Sequence, residues 1–153
     1  MSVELSTYLP YLVTRCGQRF VTELSPALSS EGIDVQAWRA LIALYQRGDQ
    51  TVGGLSNLTS INFSTLSRLI GRMAGKGLVQ RVRGNDDARS VTIRLTPPGR
   101  RMTERILPAA TALEHDATIG FTEAEAATLR QLLIKLYAGL SKDRSLDEDR
   151  LAG

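Results

Sequence analysis

Leu66, Leu69, Ile70 and Met73 recur at i, i+3, i+4 and i+7, and Ser64, Thr65, Ser67, Arg68 and Arg72 fall on the other side. The stretch from Asn62 to Gly77 therefore predicts a helix with one apolar stripe and an outer face that donates hydrogen bonds and carries no acid. Asn62 suits the N-cap, and Gly77 suits the left-handed residue that follows a helix end. Upstream, Thr51 to Leu58 reads as a shorter helix capped by Thr51, with Leu55 and Leu58 pointing inward. Gly53 and Gly54 weaken it by about 0.5 to 1 kcal/mol each relative to alanine, so it relies on packing more than on propensity. Residues 59–61 turn the chain between the two, which makes a helix-turn-helix.

Downstream the period changes from helical to alternating. Leu78 to Arg83 and Ser90 to Leu95 read as strands; in the second, Val91, Ile93 and Leu95 alternate with Ser90, Thr92 and Arg94. The turn residues from Gly84 to Arg89 join them into a basic hairpin, a wing beside the helix.

Long helices flank this lobe. The first begins near Leu9, with Pro10 tolerated in its opening turn, and its stripe is Leu9, Leu12, Val13, Cys16, Phe20 and Leu24, with Pro26 and Gly32 ending or bending it. Asp34 caps the next, Val35 to Arg47, whose Trp38, Leu41, Ile42 and Tyr45 are core-facing; Trp38 and Tyr45 also suit a pocket wall. After the wing, Thr96 followed by Pro97 and Pro98 opens a helix with Met102, Ile106, Leu113 and Ala117 on its apolar side and a kink expected at Pro108. Thr122 and Glu125 form a capping box before Leu129, Leu132, Leu133, Leu136, Tyr137 and Leu140.

The fold class expected is mainly α with a small β wing: a winged helix-turn-helix lobe flanked by long dimerisation helices. The divisions are 1–34 for the N-terminal dimerisation helix, 35–96 for the lobe, 97–141 for the C-terminal dimerisation helices and 142–153 for a charged, disordered tail. The lobe cannot cover the apolar faces of the arms by itself, and a second copy in a two-fold dimer is the simplest partner.

Charge sharpens this picture. Residues 62–105 hold ten Lys or Arg against three acids, a local +7 that leaves −4 for the rest of a chain whose total is +3. Positive charge on a helix-turn-helix and its wing matches the neutralisation of phosphates along a duplex. One cysteine excludes an intrachain disulfide, and one histidine leaves too few ligands for an ordinary zinc site, so no metal and no cofactor are expected. Cys16, on an apolar stripe, reads as a buried structural thiol, the alternative being a peroxide sensor; His115 reads as a packing or solvent-facing residue. An enzyme is not expected, and no residue is assigned a catalytic role, because the only His and Cys lie about a hundred residues apart without a nucleophile elbow or phosphate-cradling loop. No apolar run approaches the roughly 20 residues of a membrane span, and the N-terminus lacks a signal-peptide pattern, so a cytoplasmic protein with no membrane partner is expected.

The run Ser64 to Arg72, then Lys76-Gly-Leu-Val79, then Asp86-Asp-Ala-Arg89 followed by Val91-Thr-Ile-Arg-Leu-Thr-Pro-Pro-Gly99, resembles the MarR family of bacterial transcription regulators over about residues 8 to 140. That resemblance implies a dimer joined through its first and last helices, a wing arginine in the minor groove, here Arg89 oriented by Asp86 or Asp87, and small, often aromatic acidic effectors. Gly71 departs from the pattern, standing where the family often has an acid. The partner expected is a pseudo-palindromic double-stranded DNA operator. Ser64, Thr65 and Arg68 are placed toward base edges, Arg72 and Lys76 toward phosphates and Arg89 in the minor groove, with Ser67 and Arg83 as further DNA contacts. Tyr11, Arg15, Trp38 and His115 are the candidate effector contacts. A repressor released by its effector is the expected role; a redox regulator acting through Cys16 and a protein-binding winged helix are the alternatives.

Overall fold

In a computed structural model of the chain, residues 4–83 and 91–141 are described. Among these residues, six helices and three strands follow in the order α1 (Leu9–Ser30), α2 (Val35–Arg47), β1 (Gln50–Thr51), α3 (Val52–Thr59), α4 (Phe63–Gly75), β2 (Val79–Arg83), β3 (Val91–Leu95), α5 (Pro97–Ala117) and α6 (Glu123–Ser141). The chain divides into a first unit ending at Leu113 and a second beginning at Glu114, so α5 runs across the division. The 142–153 tail lies outside the described residues.

The lobe's core is built from the stripes that the periodicity marks. Leu41, Leu44, Leu55, Leu66, Ile70 and Ile93 are fully buried, with Leu69, Met73, Leu78 and Val79 around them. Each such side chain contributes roughly 1.5 to 3 kcal/mol by leaving water. The caps are those the residue types require. Asp34 accepts from the Ala37 amide at 2.8 Å, Thr51 from Gly54 at 3.0 Å and Asn62 from Thr65 at 2.8 Å. Gly77 has φ +72, and this left-handed residue returns the Leu78 amide to the Met73 carbonyl at 3.0 Å, closing the end of α4.

β2 and β3 pair antiparallel from Val79 opposite Leu95 to Arg83 opposite Val91. β1, which no periodicity in the sequence announces, pairs with β3 through Gln50 opposite Ile93, giving the sheet order β1-β3-β2. Thr96 then joins sheet to helix: its amide donates to the Leu78 carbonyl at 3.1 Å, its hydroxyl donates to Gly77 O at 2.6 Å and accepts from the Gly99 amide at 3.1 Å.

Several expectations are corrected. Leu58 is 40% exposed, and the inward residue of the last α3 turn is Thr59, whose hydroxyl bonds the Leu55 carbonyl at 2.7 Å and so is satisfied in the core. Helix α1 continues through Pro26 to Ser30 and buries only Leu24 and Leu28. Leu9, Leu12, Val13 and Phe20 are exposed on the chain, and so is Cys16, which is therefore not buried among them. On α5, Ile106 is buried but Ala117 is exposed, and the small polar residue Thr103 is fully buried, bonding the Gly99 carbonyl at 2.9 Å.

In the second unit the capping box is formed: Thr122 N donates to Glu125 Oε2 at 2.8 Å and Glu125 N donates to Thr122 Oγ1 at 3.2 Å. Among the described residues, Leu129, Leu132, Leu133, Ile134, Tyr137 and Leu140 of α6 are exposed.

Candidate nucleic-acid interface

Helix α4 owes its orientation to a division of labour along its length. Leu66, Leu69, Ile70 and Met73 fix one side in the core, which leaves Ser64, Arg68 and Arg72 exposed and Thr65 and Ser67 half-buried at the margins. The Asn62 carboxamide oxygen accepts from both the Thr65 amide at 2.8 Å and the Ser64 hydroxyl at 3.1 Å. Removing this cap by Asn62→Ala should destabilise the fold by about 1 kcal/mol in a urea titration, with the m-value unchanged.

The basic residues of this region separate into two sets. One set holds the fold together. Arg94 donates to Asp49 Oδ2 through Nε at 2.8 Å and Nη2 at 2.6 Å, pinning β3 to the turn before β1. Arg105 grips Glu31 with a fork of 2.8 and 2.7 Å, and Arg100 lies over the Tyr45 ring at 5.1 Å. Lys76 donates to the Gly32 carbonyl at 2.8 Å, so it ties the end of α4 to the α1–α2 turn, a role that the phosphate assignment does not anticipate. The other set points outward: Arg68 and Arg72 on α4 and Arg81 and Arg83 on β2 are exposed and make no ion pair among the described residues. Arg89, with Asp86 and Asp87, lies outside the described residues.

The Glu31–Arg105 fork carries a pH signature. The hydrogen bond from Arg105 holds the Glu31 carboxyl below its ordinary pKa. A carboxylate with a depressed folded pKa stabilises above its unfolded value and loses that contribution as pH falls through the folded one. The melting difference between the wild type and Arg105→Ala should accordingly hold steady at neutral pH and shrink once pH drops below the usual glutamate range; the pair is solvent-exposed, so the difference is modest.

The four candidate effector contacts are placed in different surroundings. Tyr11 and Arg15 face each other on α1, the guanidinium 5.4 Å from the ring centroid. Trp38 is only 7% exposed and packs with Leu24, Leu28 and Ile106, which makes it a core residue where α1, α2 and α5 meet. His115 is exposed in the second unit. Beside α2, Thr14, Gly17, Gln18, Val21, Thr22 and Arg39 line an open groove of about 530 Å³ that the sequence did not suggest. Among the described residues no cluster of His, Cys, Asp and Glu could hold a metal ion, and no helix is long and apolar enough to cross a membrane.

Sequence comparison matches residues 33–91, the lobe just described, to the model of the MarR family. That lobe is a MarR-family lobe. It is 26% identical over 130 residues to the HTH-type transcriptional repressor IacR of Pseudomonas putida, covering 85% of this chain and 78% of that protein. The fold is similar to that of a MarR-family transcriptional regulator from Silicibacter pomeroyi, with a TM-score of 0.80, 29% identity and coverage of 89% of this chain and 92% of that one. It is similar too to a mutant MarR from E. coli complexed with operator DNA, with a TM-score of 0.75, 26% identity and coverage of 88% and 99%. The lobe is that of a DNA-binding transcriptional regulator, and α3–α4 with the β2–β3 hairpin is its winged helix-turn-helix.

Proposed function

We propose that the chain acts as a cytoplasmic homodimeric repressor of a pseudo-palindromic operator, and that it has no catalytic activity. The observation that carries this is the outer face of α4, where Ser64, Arg68 and Arg72 stand exposed with no acid among them while the opposite face is locked in the core. In this reading α4 enters the major groove, Ser64, Thr65, Ser67 and Arg68 meet base edges, Arg72 and Arg83 meet phosphates, and Arg89 enters the minor groove. Two copies place two such helices about one helical turn apart on the duplex. The exposed leucines of α1 and of α6, Leu9, Leu12, Leu129, Leu132, Leu133 and Leu140, support pairing, since apolar patches on protein surfaces mark interaction sites. The relative in Pseudomonas putida is named a repressor, and the mutant MarR of similar fold is complexed with operator DNA.

The test is a mobility-shift assay with upstream regions of the chain's own gene cluster, alongside light scattering of the purified protein. Twice the chain mass and saturable, competitor-resistant retention of one duplex are expected. A monomer, or equal affinity for every duplex, would count against the proposal.

Release by a small aromatic acid is proposed as the regulatory step. Trp38 is the internal reporter for it, because its indole sits where α1 and α5 meet α2 and must sense any change in their packing. Quenching or shifting of its fluorescence on titration, in parallel with loss of DNA retention, is expected. No response to any aromatic acid, together with release by peroxide that Cys16→Ser abolishes, would favour the redox reading.

A further inference from the structure

Phe63 is the one large apolar side chain of α4 that the core does not take: it is 59% exposed, whereas Leu66, Leu69, Ile70 and Met73 are buried. It occupies the first helical position, immediately after the cap Asn62, and stands one turn before Ser67 on the flank between the buried stripe and the cationic face. Single exposed apolar residues are ordinary on a protein surface, so exposure by itself says nothing. Placement and neighbouring chemistry do. The residues at the N-terminal end of a recognition helix are those that reach base edges. At this end the Asn62 side-chain oxygen is already engaged by Thr65 and Ser64, and Thr65 is half-buried. What the tip of α4 presents is therefore a hydroxyl, the Arg68 guanidinium one turn on, and a phenyl ring.

A major groove offers donors and acceptors from every base pair but a single apolar group, the 5-methyl of thymine. A phenyl ring has no hydrogen bond to give, so in the groove its favourable contact is with that methyl, and a base without it leaves the ring against polar edges. We infer that Phe63 is a specificity-determining residue that packs on the 5-methyl group of a thymine in each operator half-site. This rests on α4 being the element that enters the major groove.

The experiment replaces thymine by deoxyuridine, one symmetric pair at a time, in a duplex selected by the wild-type protein from a random pool. The substitution removes the methyl and leaves the Watson–Crick edge and the charge unchanged. Wild type should lose roughly fourfold in affinity per methyl at one pair of positions, the worth of a buried methylene-sized group. Phe63→Ala should bind the thymine and uracil duplexes equally, Phe63→Leu should keep part of the preference, and both should melt near the wild type because the ring is mostly exposed and belongs to neither core cluster. Indifference of the wild type to uracil at every position would overturn the inference, as would a uracil penalty that persists undiminished in Phe63→Ala. A wild-type protein that retains no duplex at all would instead remove the DNA reading itself, and this assignment with it.

Discussion

Gly99→Ala should unfold the chain well below the temperature at which the wild type melts. A Cβ built at Gly99 lies 2.0 Å from the Leu78 carbonyl oxygen, 2.9 Å from its carbon and 2.9 Å from Leu95 Cδ1. The Leu95 side chain could give way, but the Leu78 carbonyl cannot do so freely. It accepts the Thr96 amide at 3.1 Å, in the same turn where Thr96 bonds Gly77 and Gly99. Alanine is the better helix former by about 1 kcal/mol. Against that gain, relief of a backbone clash of this depth requires α5 to move away from the sheet, with a loss of about 3 to 5 kcal/mol. The net loss of about 2 to 4 kcal/mol corresponds to a drop in melting temperature of roughly 5 to 15 °C for a chain of this size. A melt within about 2 °C of the wild type would mean that α5 and the α4–β2 turn do not meet as described.

The second large effect concerns binding and leaves stability alone. Arg68 is exposed on α4, and Arg68→Ala breaks no ion pair among the described residues. A well-placed arginine–base contact is worth about 1 to 3 kcal/mol of discrimination, and a symmetric dimer loses it twice. Affinity for the selected operator should fall by about thirtyfold or more, with a smaller loss on random duplex, because only the electrostatic share of the contact is common to both. Combining it with Arg89→Ala should remove specific retention altogether. Unchanged operator affinity in the double variant, with melting also unchanged, would show that the reading surface lies elsewhere.

Much of the lobe is legible in the sequence because its signals are local. The stripe from Leu66 to Met73, the caps at Asp34, Thr51 and Asn62 and the left-handed Gly77 each follow from the geometry of one helix and its ends. What escaped depends on neighbours distant along the chain. Leu58 satisfies a helical period, yet the short α3 turns its last apolar residue outward and buries Thr59, whose hydroxyl finds the Leu55 carbonyl. Phe63, three residues before Leu66, is exposed because the core stops short of the first turn. Strand β1 is only Gln50–Thr51, too brief for any alternation to register. Lys76, Arg94 and Arg105 count toward a basic patch when charges are summed along the chain; their partners Gly32, Asp49 and Glu31 lie far off in sequence and reveal them as ties within the fold.

Cys16 shows the same limit from the other side. Its position on the apolar stripe of α1 is as the periodicity predicts, but among the described residues that stripe is buried only at its end, where Leu24 and Leu28 reach the core.

The most direct test is the salt dependence of duplex binding by the unmodified protein. If two cationic heads neutralise roughly six to ten phosphates in all, the logarithm of the affinity for the selected operator should fall linearly with the logarithm of salt concentration, with a slope of about −5 to −9. A slope near zero, or no binding at low salt, would contradict the account.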